Sequence, residues 1–126
     1  MKLFKVILAA LTLGSCNMSD SAEDIGGGYK FCHESSQSNF ILGGDREIPA
    51  NVVAYGTSDE FIIVQQAHQV GDLDDHIVYP SDDSIFYWIV SHKKHLVLGP
   101  LTKEQYENKR LELQIPETLK LEEVEY

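Results

Sequence analysis

The sequence is short of the features that identify several common functional classes. A transmembrane helix needs about 20 consecutive apolar residues, whereas the apolar run near the N-terminus, residues 6–13, has eight. Basic residues are scarce, 10 against 20 acidic ones, which gives a net charge of −10. Nucleic-acid binding needs a basic patch. We therefore expect no membrane-spanning helix and no nucleic-acid partner.

Catalytic motifs are also missing. The sequence has no G-x-S-x-G elbow and no H-E-x-x-H zinc motif. Its two cysteines are too few for a disulfide framework. We therefore predict a non-enzymatic protein without a cofactor. A small hydrolase stays open as an alternative, because Cys32 and the five histidines could still meet a partner in space.

The N-terminus carries an export signal. Lys2 and Lys5 precede the short apolar run, as in the charged and hydrophobic regions of a secretory signal. The following residues, Leu13-Gly14-Ser15-Cys16, resemble the bacterial lipobox. That resemblance implies lipidation of the Cys16 thiol and cleavage before Cys16. At least two acyl chains would then hold the protein stably at a membrane.

These features divide the chain into a signal peptide at 1–15, a lipid-anchored flexible tether at 16–28 and one domain at 29–126. Cleavage would leave 111 residues and take the net charge from −10 to −12. We expect the protein in the bacterial cell envelope, anchored to a membrane through Cys16. By resemblance to enterobacterial sorting, Asn17 favours the outer membrane if the organism is Gram-negative. Cys32 is expected to be buried; a Cys16–Cys32 disulfide is the alternative if Cys16 carries no lipid.

Most of the domain has strand patterns. Two continuous apolar runs, 61–64 and 85–90, predict central strands that are covered on both faces. Gly56 and Asp59 are expected to form the turn of a first hairpin, and the segment S-H-K-K-H forms that of a second. A long acidic surface loop is predicted between the hairpins. The predicted strand segments are 28–34, 39–42, 51–56, 60–68, 85–90, 95–99 and 119–124.

One helix is predicted near the C-terminus. Thr102 is a suitable N-cap, and Gln105 completes a capping box. The helix should end near Leu113, before Pro116. Strands followed by a helix indicate an α+β fold. We expect a mostly antiparallel β-sheet of about five or six strands, with the one C-terminal α-helix packed on one face.

Metal-binding candidates are weak. The spacing of acids in the long loop does not match an EF-hand, so a solvated loop is the favoured interpretation. His92 and His95 flank two lysines, which disfavour zinc, and we expect a hairpin turn there. Cys32 and His33 should point to opposite faces of a strand. The loop candidates are Asp72, Asp74, Asp75 and His76, followed by Asp82 and Asp83.

The favoured functional hypothesis is a small non-enzymatic envelope lipoprotein that binds another envelope protein or a ligand. One face of the strand at 85–90 could lack a covering helix and expose aromatic side chains for such a contact. An acidic inhibitor or immunity-type protein, acting on a basic envelope or exported target, is the first alternative. The small hydrolase is the second.

Several segments after the lipobox resemble a family of small uncharacterised bacterial lipoproteins. They are GGGYKF, IIVQQ, YWIV and LGPLTKEQYENKR with IPETLKL, in that order. The likeness extends over nearly all of the chain after the signal. These motifs consist of core and turn residues, so the resemblance implies a shared fold and no known activity.

Intact mass spectrometry of the membrane-extracted protein tests the anchor. We expect a chain that begins at Cys16 and carries the added mass of its acyl chains, because the lipobox resemblance places both modification and cleavage there. A Cys16→Ser variant should move to the soluble fraction. A chain that starts at Cys16 without lipid mass would contradict the prediction.

Overall fold

The computed structural model describes residues 21–35, 38–44, 46–68 and 77–124, in which it places eight strands and one helix. Strands β1–β3 form one antiparallel sheet in that order, and the other five form a second with the order β7-β6-β5-β4-β8. The predicted α+β class is confirmed. The elements are β1 Ser21–Gly26, β2 Tyr29–His33, β3 Asn39–Leu42, β4 Val52–Thr57, β5 Phe61–Ala67, β6 Ile85–Ser91, β7 Leu96–Leu101, α1 Lys103–Glu112 and β8 Glu122–Glu123.

The five-stranded sheet is the middle of three layers. Side chains alternate across its central strands β5 and β6, so each strand contributes to two apolar clusters. Ile62 and Trp88 belong to the cluster shared with the three-stranded sheet, whereas Ile63 and Ile89 belong to the cluster shared with α1. This confirms that both apolar runs are strands covered on both faces.

The prediction that one face of β6 exposes aromatic side chains is wrong. Phe86 and Trp88 are fully buried, and Tyr87 is 9% exposed. The Tyr87 ring stacks on that of Tyr106 from α1, with centroids 4.6 Å apart. The sequence gives no sign that a second sheet covers the other face, because strands β1–β3 are short and only partly apolar.

The chain before Tyr29 also differs from the prediction. Residues 21–28 were assigned to the flexible tether, but Ser21–Gly26 is strand β1 and pairs with β2. Gly27 and Gly28 have φ values of +61° and +87°, which glycine adopts readily in a two-residue hairpin turn. Ile25 is buried in the cluster between the sheets. A single apolar residue among acids gives too little pattern to predict such a strand.

The helix α1 begins and ends as predicted. The Gln105 backbone N–H donates to Thr102 Oγ1 at 3.2 Å, and the Thr102 N–H donates to Gln105 Oε1 at 2.9 Å, which completes the capping box. Leu113 is the C-cap. Beyond it, Arg110 donates to the carbonyl oxygens of Pro116 and Leu119 and holds the chain that leads to β8. No helix in the described ranges is both long and apolar enough to cross a bilayer.

The turn between β4 and β5, at residues 58–60, includes Asp59 as predicted, whereas Gly56 lies within β4. Ser58 Oγ accepts hydrogen bonds from the backbone N–H groups of Glu60 and Phe61. Gly56 instead lies beneath the segment before β8, where a Cβ atom would come within 2.2 Å of the Lys120 carbonyl oxygen. Glycine at this position therefore lets the C-terminal segment lie across β4.

A buried polar network joins β5, β6 and the loop before β6. The Trp88 indole N–H donates to Gln66 Oε1 at 2.7 Å, and Gln66 Nε2 donates to the Ala50 carbonyl and to the Tyr79 hydroxyl. The Tyr79 ring also stacks on His68, with centroids 3.8 Å apart. Part of the predicted surface loop therefore packs on the sheet.

Replacing Gln66 tests this network. Gln66→Ala leaves the buried indole N–H of Trp88 without its acceptor and creates a cavity, so we expect the free energy of unfolding to fall by about 2–4 kcal/mol. Gln65→Ala, one residue earlier on a half-buried position, is the control and should cost under about 1 kcal/mol. Urea denaturation measures both. Equal losses would contradict the network's role.

Candidate functional site

A groove of about 260 Å³ lies where the three-stranded sheet meets the five-stranded sheet. We call it the seam groove. Its lining comes from β1 and β2 of one sheet, from β4 and β8 of the other, and from the residue after β8. The lining residues are Glu23, Phe31, Tyr55, Glu122, Glu123 and Val124.

Strand register brings the lining together. Glu23 pairs with Phe31 across β1 and β2, and Tyr55 pairs with Glu122 across β4 and β8. The rings of Phe31 and Tyr55 meet between the sheets, with centroids 5.0 Å apart and planes tilted by 36°. The groove therefore has an aromatic floor, and its exposed glutamates come from both sheets.

One hydrogen bond connects the aromatic floor to an acidic side chain. The Tyr55 hydroxyl donates to Glu23 Oε1 at 3.3 Å. The pKa of Tyr55 is raised from 10.0 to about 12, mainly by burial and, to a smaller extent, by the charge of Glu23, the hydrogen bond to Glu23 and the charge of Glu122. Tyr55 thus remains a neutral donor at physiological pH, next to carboxylates.

None of the ion pairs between described residues involves a carboxylate of the groove. The lining contains no lysine, arginine or histidine. Within the described ranges, the ion pairs are Lys103–Glu107 and Lys109–Glu112, both on the helix side of the molecule. The seam groove therefore combines an apolar floor with negative charge that no described side chain neutralises.

The residues singled out from the sequence lie elsewhere. Cys16 and the loop candidates Asp72, Asp74, Asp75 and His76 fall outside the described residues. Asp82 and Asp83 are exposed. In the described part of the chain, no three histidine, cysteine, aspartate or glutamate side chains are grouped so that they could hold a metal ion.

His92 and His95 lie in the turn of the second hairpin. Residues 92–95 form the turn between β6 and β7, which confirms the predicted hairpin. His92 contacts the β1–β2 turn, where a Cβ on Gly27 would lie 2.1 Å from His92 Nδ1. Its buried Nε2 has no hydrogen-bond partner. This contact fixes the glycine turn of the small sheet against the large one.

Cys32 is fully buried in β2, as expected. The structure places Cys32 in a disulfide rather than as a free thiol. The only other cysteine of the sequence is Cys16. A disulfide and a lipid thioether at Cys16 exclude each other because both use the same sulfur atom, so lipidation would leave Cys32 as a buried thiol.

Sequence reasoning did not identify the seam groove. Glu23 was assigned to the tether, and Phe31 and Tyr55 were assigned to the core. The adjacent acids Glu122 and Glu123 fell in a predicted strand without a stated role. In a regular strand Glu23 and Ile25 would lie on the same face. The register shift between Asp24 and Gly26 breaks that alternation, so no local sequence pattern indicated the groove.

Titration of Tyr55 tests the electrostatics of the groove. Because the folded-state pKa is raised from 10.0 to about 12, the protonated tyrosine stabilises the fold fully below pH 10. That contribution is lost as the pH rises through the folded-state value. Glu23→Gln should lower the pKa of Tyr55, whereas Glu117→Gln, exposed and outside the groove lining, should not change it. NMR of the tyrosine Cζ, with Tyr55→Phe for assignment, measures this; a midpoint near 10 would contradict the account.

Comparison with known protein families matches residues 26–125 to the family described as "Protein of unknown function (DUF3997)". Comparisons with curated proteins and with solved structures found no match. The family match includes the five-stranded sheet, the helix and most of the seam groove lining. It agrees with the resemblance to an uncharacterised family, and the chain belongs to this family.

Proposed function

We propose that this chain is a small non-enzymatic lipoprotein of the bacterial cell envelope that binds a partner protein at the seam groove. In this proposal, lipid on Cys16 holds the domain at a membrane, the outer membrane if the organism is Gram-negative. The lipobox resemblance supports the anchor. The groove supports the binding role, since it is a concave surface with an apolar floor and polar groups around it.

The arrangement of the two sheets is the observation that carries the proposal. Both faces of the central strands are covered, so their apolar side chains serve the core. At the seam, however, the Phe31 and Tyr55 rings line an open groove. Aromatic residues are enriched in protein interfaces because they combine large apolar area with few rotatable bonds.

The groove lining favours binding over catalysis. It contains glutamate, phenylalanine, tyrosine and valine, with no histidine beside a nucleophile. The Tyr55 hydroxyl is held in its protonated form by burial and by the nearby carboxylates, which raise its pKa. A neutral tyrosine is a weak nucleophile and a good hydrogen-bond donor.

Crosslinking capture from native membranes tests the proposal. The tagged, lipidated chain should recover a discrete protein that a variant carrying Glu122→Lys and Glu123→Lys does not recover. The matched control carries Asp82→Lys and Asp83→Lys, which makes the same charge change at two adjacent exposed acids outside the groove lining. Loss of the protein in both variants would show a non-specific effect of net charge and would contradict docking at the groove.

One further variant and one labelling experiment separate the anchor from the binding site. Cys16→Ser should release the domain from the membrane, and thiol labelling of the denatured, unreduced wild-type chain should find one reactive thiol, Cys32, if Cys16 carries lipid. No reactive thiol, together with no lipid mass, would contradict the anchor and indicate a Cys16–Cys32 disulfide.

A captured protein whose own activity falls on binding would favour the inhibitor alternative.

A further inference from the structure

We infer that the occupant of the seam groove is a basic side chain, lysine or arginine, that projects from the partner protein. This inference rests on the proposed function and specifies the chemistry that the groove recognises. It follows from three properties of the groove: the shape of its floor, the charge around it and the lack of an internal cation.

The floor suits the aliphatic stem of a lysine or arginine. Phe31 and Tyr55 meet at a centroid distance of 5.0 Å, and Val124 adds a half-buried aliphatic side chain. The methylene groups of a long basic side chain pack on such a surface while the charged end remains in a polar environment. The half-buried ring of Tyr55 also attracts a cation that lies above its face.

The carboxylates are arranged around that floor rather than spread along one element. Glu23 comes from the small sheet, and Glu122 and Glu123 come from the edge of the large one. The hydrogen bond from Tyr55 holds the Glu23 carboxylate next to the aromatic rings. Glu122 pairs with Tyr55 and shares its face of the sheet, whereas Glu123 follows it in the strand and points to the opposite face. A cation beside the Tyr55 ring would therefore be attracted by Glu23 of one sheet and Glu122 of the other.

Two other aromatic rings and two other carboxylates of the described chain have cationic partners. Arg46 lies 4.9 Å from the ring centroid of Trp88, and Arg110 lies 5.8 Å from that of Tyr106. Glu107 and Glu112 pair with lysines of the helix. The seam groove has the same two kinds of group, aromatic rings and carboxylates, without a cation from the described residues. A cation from outside the chain completes this arrangement.

Titration with short peptides tests the inference on the full-length mature chain carrying Cys16→Ser. The probes are acetyl-Gly-Lys-Gly-amide and its Nε-acetyl-lysine form, with acetyl-Gly-Arg-Gly-amide and its citrulline form as the second pair. We expect saturable NMR shifts of the Phe31, Tyr55 and Glu122 amides with one or both charged peptides. The neutral peptide of the same pair should bind at least about tenfold more weakly, because it loses both ion pairing and the cation–ring attraction.

Three variants locate the contact. Glu122→Gln with Glu123→Gln, and separately Tyr55→Leu, should each weaken binding of the charged peptide by about fivefold, as expected for loss of about 1 kcal/mol. The control, Asp82→Asn with Asp83→Asn, should change it by less than about twofold. Equal binding of charged and neutral peptides, no saturable shift at about 10 mM peptide, or equal weakening in the control would overturn the inference.

The two sets of experiments distinguish a failure of this inference from a failure of the proposed function. If the groove variants abolish partner capture but no charged peptide binds, the groove is a docking site whose occupant is not a basic side chain, and the inference is wrong. If the peptides bind as expected but no partner is captured by the anchored chain, the basic-side-chain site stands and the interaction-module proposal fails.

Discussion

The packing of the three-stranded sheet on the five-stranded sheet is the contact on which the rest of the structure depends. Tyr29 and Phe31 from β2 meet Ile62, Val64 and Trp88 from β5 and β6 in one buried cluster. Burial of apolar side chains is the main source of folding free energy in a domain of this size. The same contact sets the edges of the two sheets side by side, and the seam groove is the space left between them.

Much of the large sheet could be predicted from the sequence. Continuous apolar runs identified β5 and β6, and alternation and turn residues identified β4 and β7 to within two residues. The helix was located by its caps, because Thr102 and Gln105 satisfy backbone groups that any helix leaves unpaired. These signals are local, so they can be read without knowing what each element packs against.

Strands β2 and β3 of the small sheet lie within the predicted segments 28–34 and 39–42, but strand β1 and the groove could not be predicted in the same way. Strand β1 has one buried apolar residue, Ile25, and its stability comes from pairing with β2 and packing on the large sheet. Strand β8, two exposed glutamates, lies within the predicted strand segment 119–124, but its pairing with β4 could not be read from the sequence. Residues of both these strands line the groove together with residues of β2 and β4. A site formed by long-range packing leaves little trace in any one segment of sequence.

The central claim is that the two sheets meet at the Phe31 and Tyr55 rings and so create the seam groove. Nuclear Overhauser effects between the ring protons of Phe31 and Tyr55, in the mature chain in solution, test it most directly. With centroids 5.0 Å apart, the account predicts strong ring-to-ring effects, which a Tyr55→Leu variant would lose. Their absence in a folded wild-type chain would contradict the packing of the sheets, and with it the groove and the function proposed for it.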